Sequence, residues 1–318
     1  MTSFTSVAWW RKGRERAGRC RLGVVTRILV ATTDGVVEWP DGTRTLDGKE
    51  VHALALAGET RYAVADSSAL RDNGDGWQEV ARAREARTNC LIASKAGLFV
   101  GTSEAHLLQV EGGELVALDS FESAPGRDDW FTPWGGPPDV RSLAEDDSGA
   151  LYCNVHVGGI LRSDDGGETW IPTIDIRSDV HEVAVAPGMV IAATAWGFSS
   201  SVDKGTSWEF DDGGLHATYA RAVAQTGDTI VMSASSDPRG DASMLYRRQL
   251  DAPGSFERCG GELPESFSNN IDTGCVAASG AVVAFGTEEG ELYLSEDSAA
   301  TFTRVADDLA PVRWITLP

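Results

Sequence analysis

One octet, written three times, constrains this chain more than any other feature. It reads SDDGGETW at Ser163–Trp170, SVDKGTSW at Ser201–Trp208 and, in worn form, SEDSAATF at Ser295–Phe302. Looser copies are LRDNGDGW, ending at Trp77, and QLDAPGSF, ending at Phe256. The closing aromatics stand 38 residues apart from Trp170 to Trp208, 48 from Trp208 to Phe256 and 46 from Phe256 to Phe302. Trp77 to Trp170 spans 93 residues, or two such periods plus an insertion. A unit of this size cannot bury its own apolar face. A recurrence at this period therefore means units stacked against one another.

Within each period the apolar runs are short and bounded by Gly, Asp and Ser. VHALALAG, CLIASKAG, VRSLAEDD, HEVAVAPG, ARAVAQTG and GCVAASGA open the periods. RYAVAD, LFVGTS, LYCNVH, VIAATA, TIVMSA and VVAFGT follow, then runs such as GILRS or ELYLS, the octet, and a short last run such as WIPT or WEF. No segment shows a 3.6-residue apolar period. These are four strands per period joined by tight turns, the pattern of a β-propeller blade. The second strands are expected at Thr26–Ala31, Arg61–Asp66, Leu98–Thr102, Leu151–His156, Val190–Ala195, Thr229–Ala234 and Val282–Thr287. The expected fold is all-β: a seven-bladed β-propeller of four-stranded antiparallel blades over residues 25–318. The first period lacks an opening strand and the last has one over, VRWITLP. Val312–Leu317 is therefore expected to join the N-terminal blade and close the ring.

Short Asp and Ser side chains bond turn amides, Gly supplies positive φ, and the final aromatic can pack beneath the turn. The octet is thus read as a staple between third and fourth strands. The pattern S-x-D-x-G-x-[TS]-W resembles the Asp-box, or BNR repeat, of sialidase-like, glycosyl hydrolase-like β-propellers. Ser163, Asp165, Gly167, Thr169 and Trp170 match it, as do Ser201, Asp203, Gly205, Ser207 and Trp208; in the third copy Ala299 replaces the Gly. The resemblance implies that the box lies opposite the ligand face, so its aspartates are not expected to be catalytic.

The charge distribution excludes some partners. The formal net charge is −21. The first 24 residues hold six Lys/Arg and one Glu, leaving 21 basic against 47 acidic residues, or −26, for the remainder. Such a field disfavours nucleic acid and anionic membranes. Residues 1–24 are read as a disordered basic arm or a start-site artefact. The five cysteines, Cys20, Cys90, Cys153, Cys259 and Cys275, are scattered without a CxxC, so no disulfide framework or zinc knot is expected. No ligand pair has zinc-like spacing. The expectation is a cytoplasmic monomer without metal or cofactor.

In a propeller of this kind the loops from fourth to first strand and from second to third share the mouth of the central channel. All five histidines, His52, His106, His156, His181 and His216, fall in or beside those loops. Aligning the first strands places Arg313, His52, Asn89, Arg141, Glu182, Arg221 and Gly274 at one equivalent position, a register that a one-residue slip would overturn. The arginines suit a carboxylate, phosphate or sulfate. Glu182, between Arg141 and Arg221 in blade order, is expected to have a lowered pKa. The insertion Glu122–Asp139 carries Trp130, Phe131 and Trp134, and a further loop carries Trp196; exposed aromatics there can stack on sugar rings.

The resemblance implies a hydrolase with an arginine triad, a Tyr/Glu nucleophile pair and an Asp acid. The family's Phe/Tyr-Arg-Ile-Pro motif is missing, and seven blades differ from a sialidase's six, so a true sialidase is not expected. Any glycosidase chemistry would draw on facing carboxylates, among Asp129, Asp179, Glu182 and Asp272. The working assignment is Glu182, His181 and Asp272 as catalytic groups. Arg141, Arg221, Arg313, His52, Asn89, His156, Tyr219, Trp130, Trp134 and Trp196 are assigned to ligand binding. The ligand is a glycan or an anionic small molecule; the alternative is a non-catalytic scaffold that docks a protein partner.

Overall fold

The computed structural model describes residues 27–84, 86–250 and 254–318; the reading of residues 1–24 lies outside the described residues. Regular structure is almost wholly β. The exceptions are the helical turn Asp119–Glu122 and the 3-10 turns Arg127–Asp129 and Ile176–Ser178. No helix among the described residues is long and apolar enough to cross a membrane.

The chain forms a β-propeller. The second strands run Ile28–Thr32, Thr60–Ala65, Gly97–Thr102, Leu151–Val155, Met189–Thr194, Thr229–Ser235 and Val282–Gly286, within two residues of expectation. Strand Leu151–Val155 is buried along its whole length, because neighbouring sheets cover both of its faces. Outermost strands such as Ile171–Pro172 are exposed. The innermost strands Val51–Ala57, Thr88–Ser94, Val140–Glu145, Val180–Ala186, Tyr219–Thr226 and Val276–Ser279 pack each against the next in chain order, and Val312–Thr316 packs between the last and the first. Strand Val312–Thr316 pairs antiparallel with Ile28–Thr32, Val30 opposite Ile315, so the C-terminal strand completes the N-terminal sheet.

The expectation of seven separate four-stranded sheets needs correction. Among the described residues the hydrogen-bonded sheets number six: four of four strands, one of eight and one of five. In the eight-stranded sheet, the antiparallel meanders Val51–Arg82 and Thr88–Ala117 are joined by one parallel bridge, Arg82 to Glu114. The fifth strand of the last sheet is the short Gly260–Gly261, parallel to Thr301–Ala306.

The octets fold as turn staples. Ser163 Oγ accepts from Gly167 N at 2.8 Å, and Asp165 accepts from Thr169 N at 2.9 Å and from Thr169 Oγ1 at 2.6 Å. The same bonds recur from Gly205 N to Ser201 and from Ser207 to Asp203, and from Ala299 N to Ser295 and from Thr301 to Asp297. Gly167 and Gly205 have φ of 100° and 84°; Ala299, at the same place, keeps φ 63°. Trp170 and Phe302 are buried beneath their turns.

Cys90, Cys153, Cys259 and Cys275 are free and buried. Burial pushes the Cys90 thiol up to about 12. They fill core space, as small hydrophobes do.

Candidate functional site

The mouth of the channel is built by a repeated irregularity. Six innermost strands break register against their neighbours at one place: Val51/Ala53, Thr88/Cys90, Val140/Ser142, Val180/Glu182, Ala220/Val223 and, on the closing strand, between Val312 and Trp314. Each is a β-bulge, which leaves extra residues unpaired and re-aims a side chain. The residues so released are His52, Asn89, Arg141, His181, Arg221 with Ala222, and Arg313. Gly274 precedes the remaining inner strand with φ 74°, pressed against the Trp314 ring where no Cβ would fit.

The expected ring is therefore assembled with one substitution: His181 occupies the place assigned to Glu182. The bulge shifts Glu182 out of the mouth and into the wall. There Glu182 Oε2 accepts from Val223 N at 2.9 Å and Oε1 from Gly274 N at 3.0 Å, tying together three neighbouring sheets. Burial pushes its pKa up to about 8, against those two amide bonds, the reverse of the lowering expected. It has no arginine partner among the described residues. A carboxyl committed in this way to two backbone amides is a structural staple, and the catalytic assignment of Glu182 is withdrawn. Ser142, at the equivalent place, does the same with Val183 N at 2.9 Å.

Several bulged side chains also bridge to the next innermost strand. His52 Nδ1 contacts Thr88 O, Asn89 Nδ2 donates to Val140 O at 3.3 Å, and His181 Nδ1 lies 2.5 Å from Ala220 O. The three arginines differ in their partners. Arg221 pairs with Asp272 at 3.1 Å and 3.2 Å. Arg313 is shared between Glu50, at 3.3 Å, and Glu288. Arg141 has neither hydrogen bond nor ion pair among the described residues. Burial and the nearby Arg221 charge push its pKa down, while Asp272 and Asp139 oppose the shift. Asp272, also working against burial, is held below the usual carboxylate range by Arg221 and Arg141.

A cavity of about 530 Å³ opens here, lined by His52, Asn89, Arg141, Asp272, Arg313 and Trp314 among others. Beside it runs an aromatic file. Ring centroids are 5.1 Å apart from Trp134 to His156, 5.4 Å from His156 to His181 and 4.6 Å from His181 to Tyr219, and the Arg221 guanidinium stands 5.7 Å from the Tyr219 ring. Asp179 sits between the two imidazoles, 2.9 Å from His156 Nε2 and 3.6 Å from His181 Nε2. Burial lowers the pKa of His156 and takes that of His181 down to about 4. Against burial of its own, Asp179 is held below the usual range by the two rings.

Other expected residues fall elsewhere. Trp130 packs on Phe121 at 5.7 Å and under Arg127 at 4.9 Å, joining the core instead of offering a free face. Trp134, from the same insertion, is 64% exposed over His156 and is the aromatic that does face the site. Trp196 pairs with Phe210 of an outermost strand at 5.2 Å, away from the ring. His106 and His216 are tied to Glu122 and to the Tyr246 hydroxyl, and do not join the ring. Asp179 was named in the sequence only as a carboxylate. Its place between two histidines shows in the short spacing Asp179-Val180-His181 but needs the fold to bring in His156.

No family model matches the chain, and no curated protein matches it. Solved structures do resemble it. The WD40 β-propeller domain of Doa1 matches with TM-score 0.58 at 13% identity, over 80% of this chain and 81% of that one. YCF48 bound to D1 peptide matches with TM-score 0.53 at 15% identity, over 80% and 81%. The extracellular domain of BT3049, a hybrid two-component system protein of B. thetaiotaomicron, matches with TM-score 0.61 at 14% identity, over 91% of this chain but 38% of that longer one. At such identities these likenesses establish the fold alone: this chain is a β-propeller.

Proposed function

We propose that the chain is an Asp-box propeller of seven blades, the eight-stranded sheet counting as two, whose channel mouth binds a small anionic ligand. The ligand class is a carboxylate, phosphate or sulfate, borne on an organic acid or an acidic glycan. One observation carries the reading: among the described residues Arg141 lines the cavity without an ion pair, while Arg221 is paired with Asp272 and Arg313 with both Glu50 and Glu288. Arg141 is half-buried, so its guanidinium is only partly hydrated, and an incoming anion would supply a partner through charge-assisted, bidentate bonds. Trp134 offers an exposed ring at the rim for an apolar or sugar face. Hydrolysis is not favoured, because Glu182 is committed to the wall and Asp272 is held ionised, which suits a general acid poorly.

A second reading, docking of a protein segment, is favoured by the exposed Phe131 and Trp134 of the insertion and by the peptide-bound YCF48 among the structural neighbours. Calorimetric titration of wild type and Arg141→Gln with glucuronate, sialic acid, citrate, phosphate and sulfate separates the two. At least one anion should bind wild type and lose about 1.5–3 kcal/mol in the variant, the scale of a charged hydrogen bond. Arg141→Gln should melt no lower than wild type, because the half-buried Arg141 side chain makes no hydrogen bond or ion pair among the described residues. Equal affinity in both proteins, or no anion bound, would exclude the anion site.

A further inference from the structure

We propose that His156, Asp179 and His181 form a binding site for one divalent transition-metal ion, held by two imidazole Nε2 atoms and the Asp179 carboxylate. The site lies beneath Trp134, at the edge of the channel mouth, and does not depend on the anion reading. The ligand atoms of the three side chains all lie within 4.8 Å of one another. His156 Nε2 lies 2.9 Å from Asp179 Oδ1 and His181 Nε2 lies 3.6 Å from Asp179 Oδ2, each near the donor–donor edge of about 3.3 Å expected of a tetrahedron with metal–ligand bonds of about 2.0–2.1 Å.

Hydrogen bonding alone leaves this group unresolved. Asp179 Oδ1, His156 Nε2 and His181 Nε2 are buried and lack a hydrogen-bond partner of acceptable geometry, although they approach one another closely. The two histidines are 2% and 0% exposed, so water does not readily satisfy them. His181 shows which proton is where. Its Nδ1 lies 2.5 Å from Ala220 O. A carbonyl can only accept, so Nδ1 carries the proton and, in a neutral ring, Nε2 presents a lone pair. That lone pair faces the carboxylate of Asp179. Two facing electron-pair donors make a favourable contact only through a cation, either a metal ion or the proton of an imidazolium, and the buried pair of histidines gathered on one carboxylate favours the metal ion. The Nδ1–carbonyl bond is also the outer contact that commonly orients a metal-binding imidazole.

The surroundings are rigid. Asp179 is held in the left-handed region at φ 49°, and its carbonyl accepts from Ala195 N at 3.1 Å. Trp134 and Tyr219 flank the two imidazoles in the aromatic file. Two imidazoles and one carboxylate suit Zn²⁺ or Fe²⁺ rather than Mg²⁺ or Ca²⁺. Three protein ligands leave a coordination position open. Arg141 and Arg221 are the nearby cations, and their charge weakens metal binding while favouring an anion at the open position.

The test uses the full chain without a histidine tag, stripped with chelator and titrated with Zn²⁺ by calorimetry and with Co²⁺ by visible absorption. One equivalent of Zn²⁺ should bind with micromolar or tighter Kd, and Co²⁺ should give the intense d–d bands of a four-coordinate N/O site without thiolate charge-transfer bands. Asp179→Asn and His156→Gln, checked for folding by circular dichroism, should weaken Zn²⁺ at least tenfold. Should a variant fail to fold, the wild-type Co²⁺ spectrum and stoichiometry stand as the test. Absence of binding by wild type, thiolate bands, or unchanged affinity in a folded variant would overturn the site and leave Asp179 as an acceptor between two histidine N–H groups.

Discussion

At the scale of single residues, the octets show how few side chains are needed to fix a turn. Ser163 is buried and its oxygen accepts from the buried Gly167 amide. Ser163→Ala leaves that amide without a partner. The expected loss is about 1–3 kcal/mol, read from urea unfolding, with ligand binding untouched because the turn is far from the mouth. The aspartates add a pH dependence. Asp165 is held down to about 2 by bonds from Thr169 and Ser163, and Asp203 likewise by Ser207 and Ser201. A carboxyl whose pKa falls on folding adds stability that is fully present above its unfolded value and is lost as pH drops through the folded one. These turns should therefore weaken between about pH 4 and pH 2. Acid unfolding of Asp165→Asn should be less steep than that of wild type in that window; identical profiles would show that the bonds do not couple to stability. Ala299 adds a further case. It keeps a conformation that costs an L-residue about 1 kcal/mol, while its methyl group is buried in the core of the last sheet.

At the scale of strands, the bulges separate two jobs along one segment. At Arg141 and His181 the residue released by the bulge is followed by one, Ser142 or Glu182, that braces the next sheet. Glu182→Ala tests the brace. It orphans the amides of Val223 and Gly274, so a loss of at least about 2 kcal/mol is expected at about 1–3 kcal/mol for each buried group, with anion affinity preserved in the folded fraction. A stable variant that no longer binds the anion would return Glu182 to the site. The strand pattern itself was legible in the sequence, because short apolar runs between Gly and Asp turns leave little freedom. The ring was legible at His52, Asn89, Arg141, Arg221 and Arg313. It failed by one residue at Glu182, because His181 and Glu182 are both polar and the apolar alternation does not say which of the two stands at the bulge. Trp130 was misassigned because the segment Trp130–Trp134 shows three rings on one insertion, but not that Phe121 and Arg127 draw the first inward.

At the scale of the molecule, stability depends on one strand pairing between residues distant in sequence. Leu29, Val30 and Ala31 lie opposite Thr316, Ile315 and Trp314, and Trp314 also packs against three of the core clusters. Deleting residues 311–318 exposes the strand edge of Ile28–Thr32 and removes that contact. The truncated chain should lose its cooperative thermal transition and aggregate; a melting curve like that of wild type would show that the ring holds without closure. The closing strand was readable from the count of apolar runs, whereas the merging of two sheets through Arg82 and Glu114 was not, because one bridge leaves no sequence pattern. The bulges have another consequence for the molecule as a whole. A bulged residue is left out of the ladder register, so the strand pairing does not dictate its identity. The chain itself places a histidine, an asparagine or an arginine at that position without disturbing the barrel of strands behind. The mouth is thus a set of positions on a fixed frame that are freer to change than the ladder residues beside them, so selection can retune the channel surface one sheet at a time.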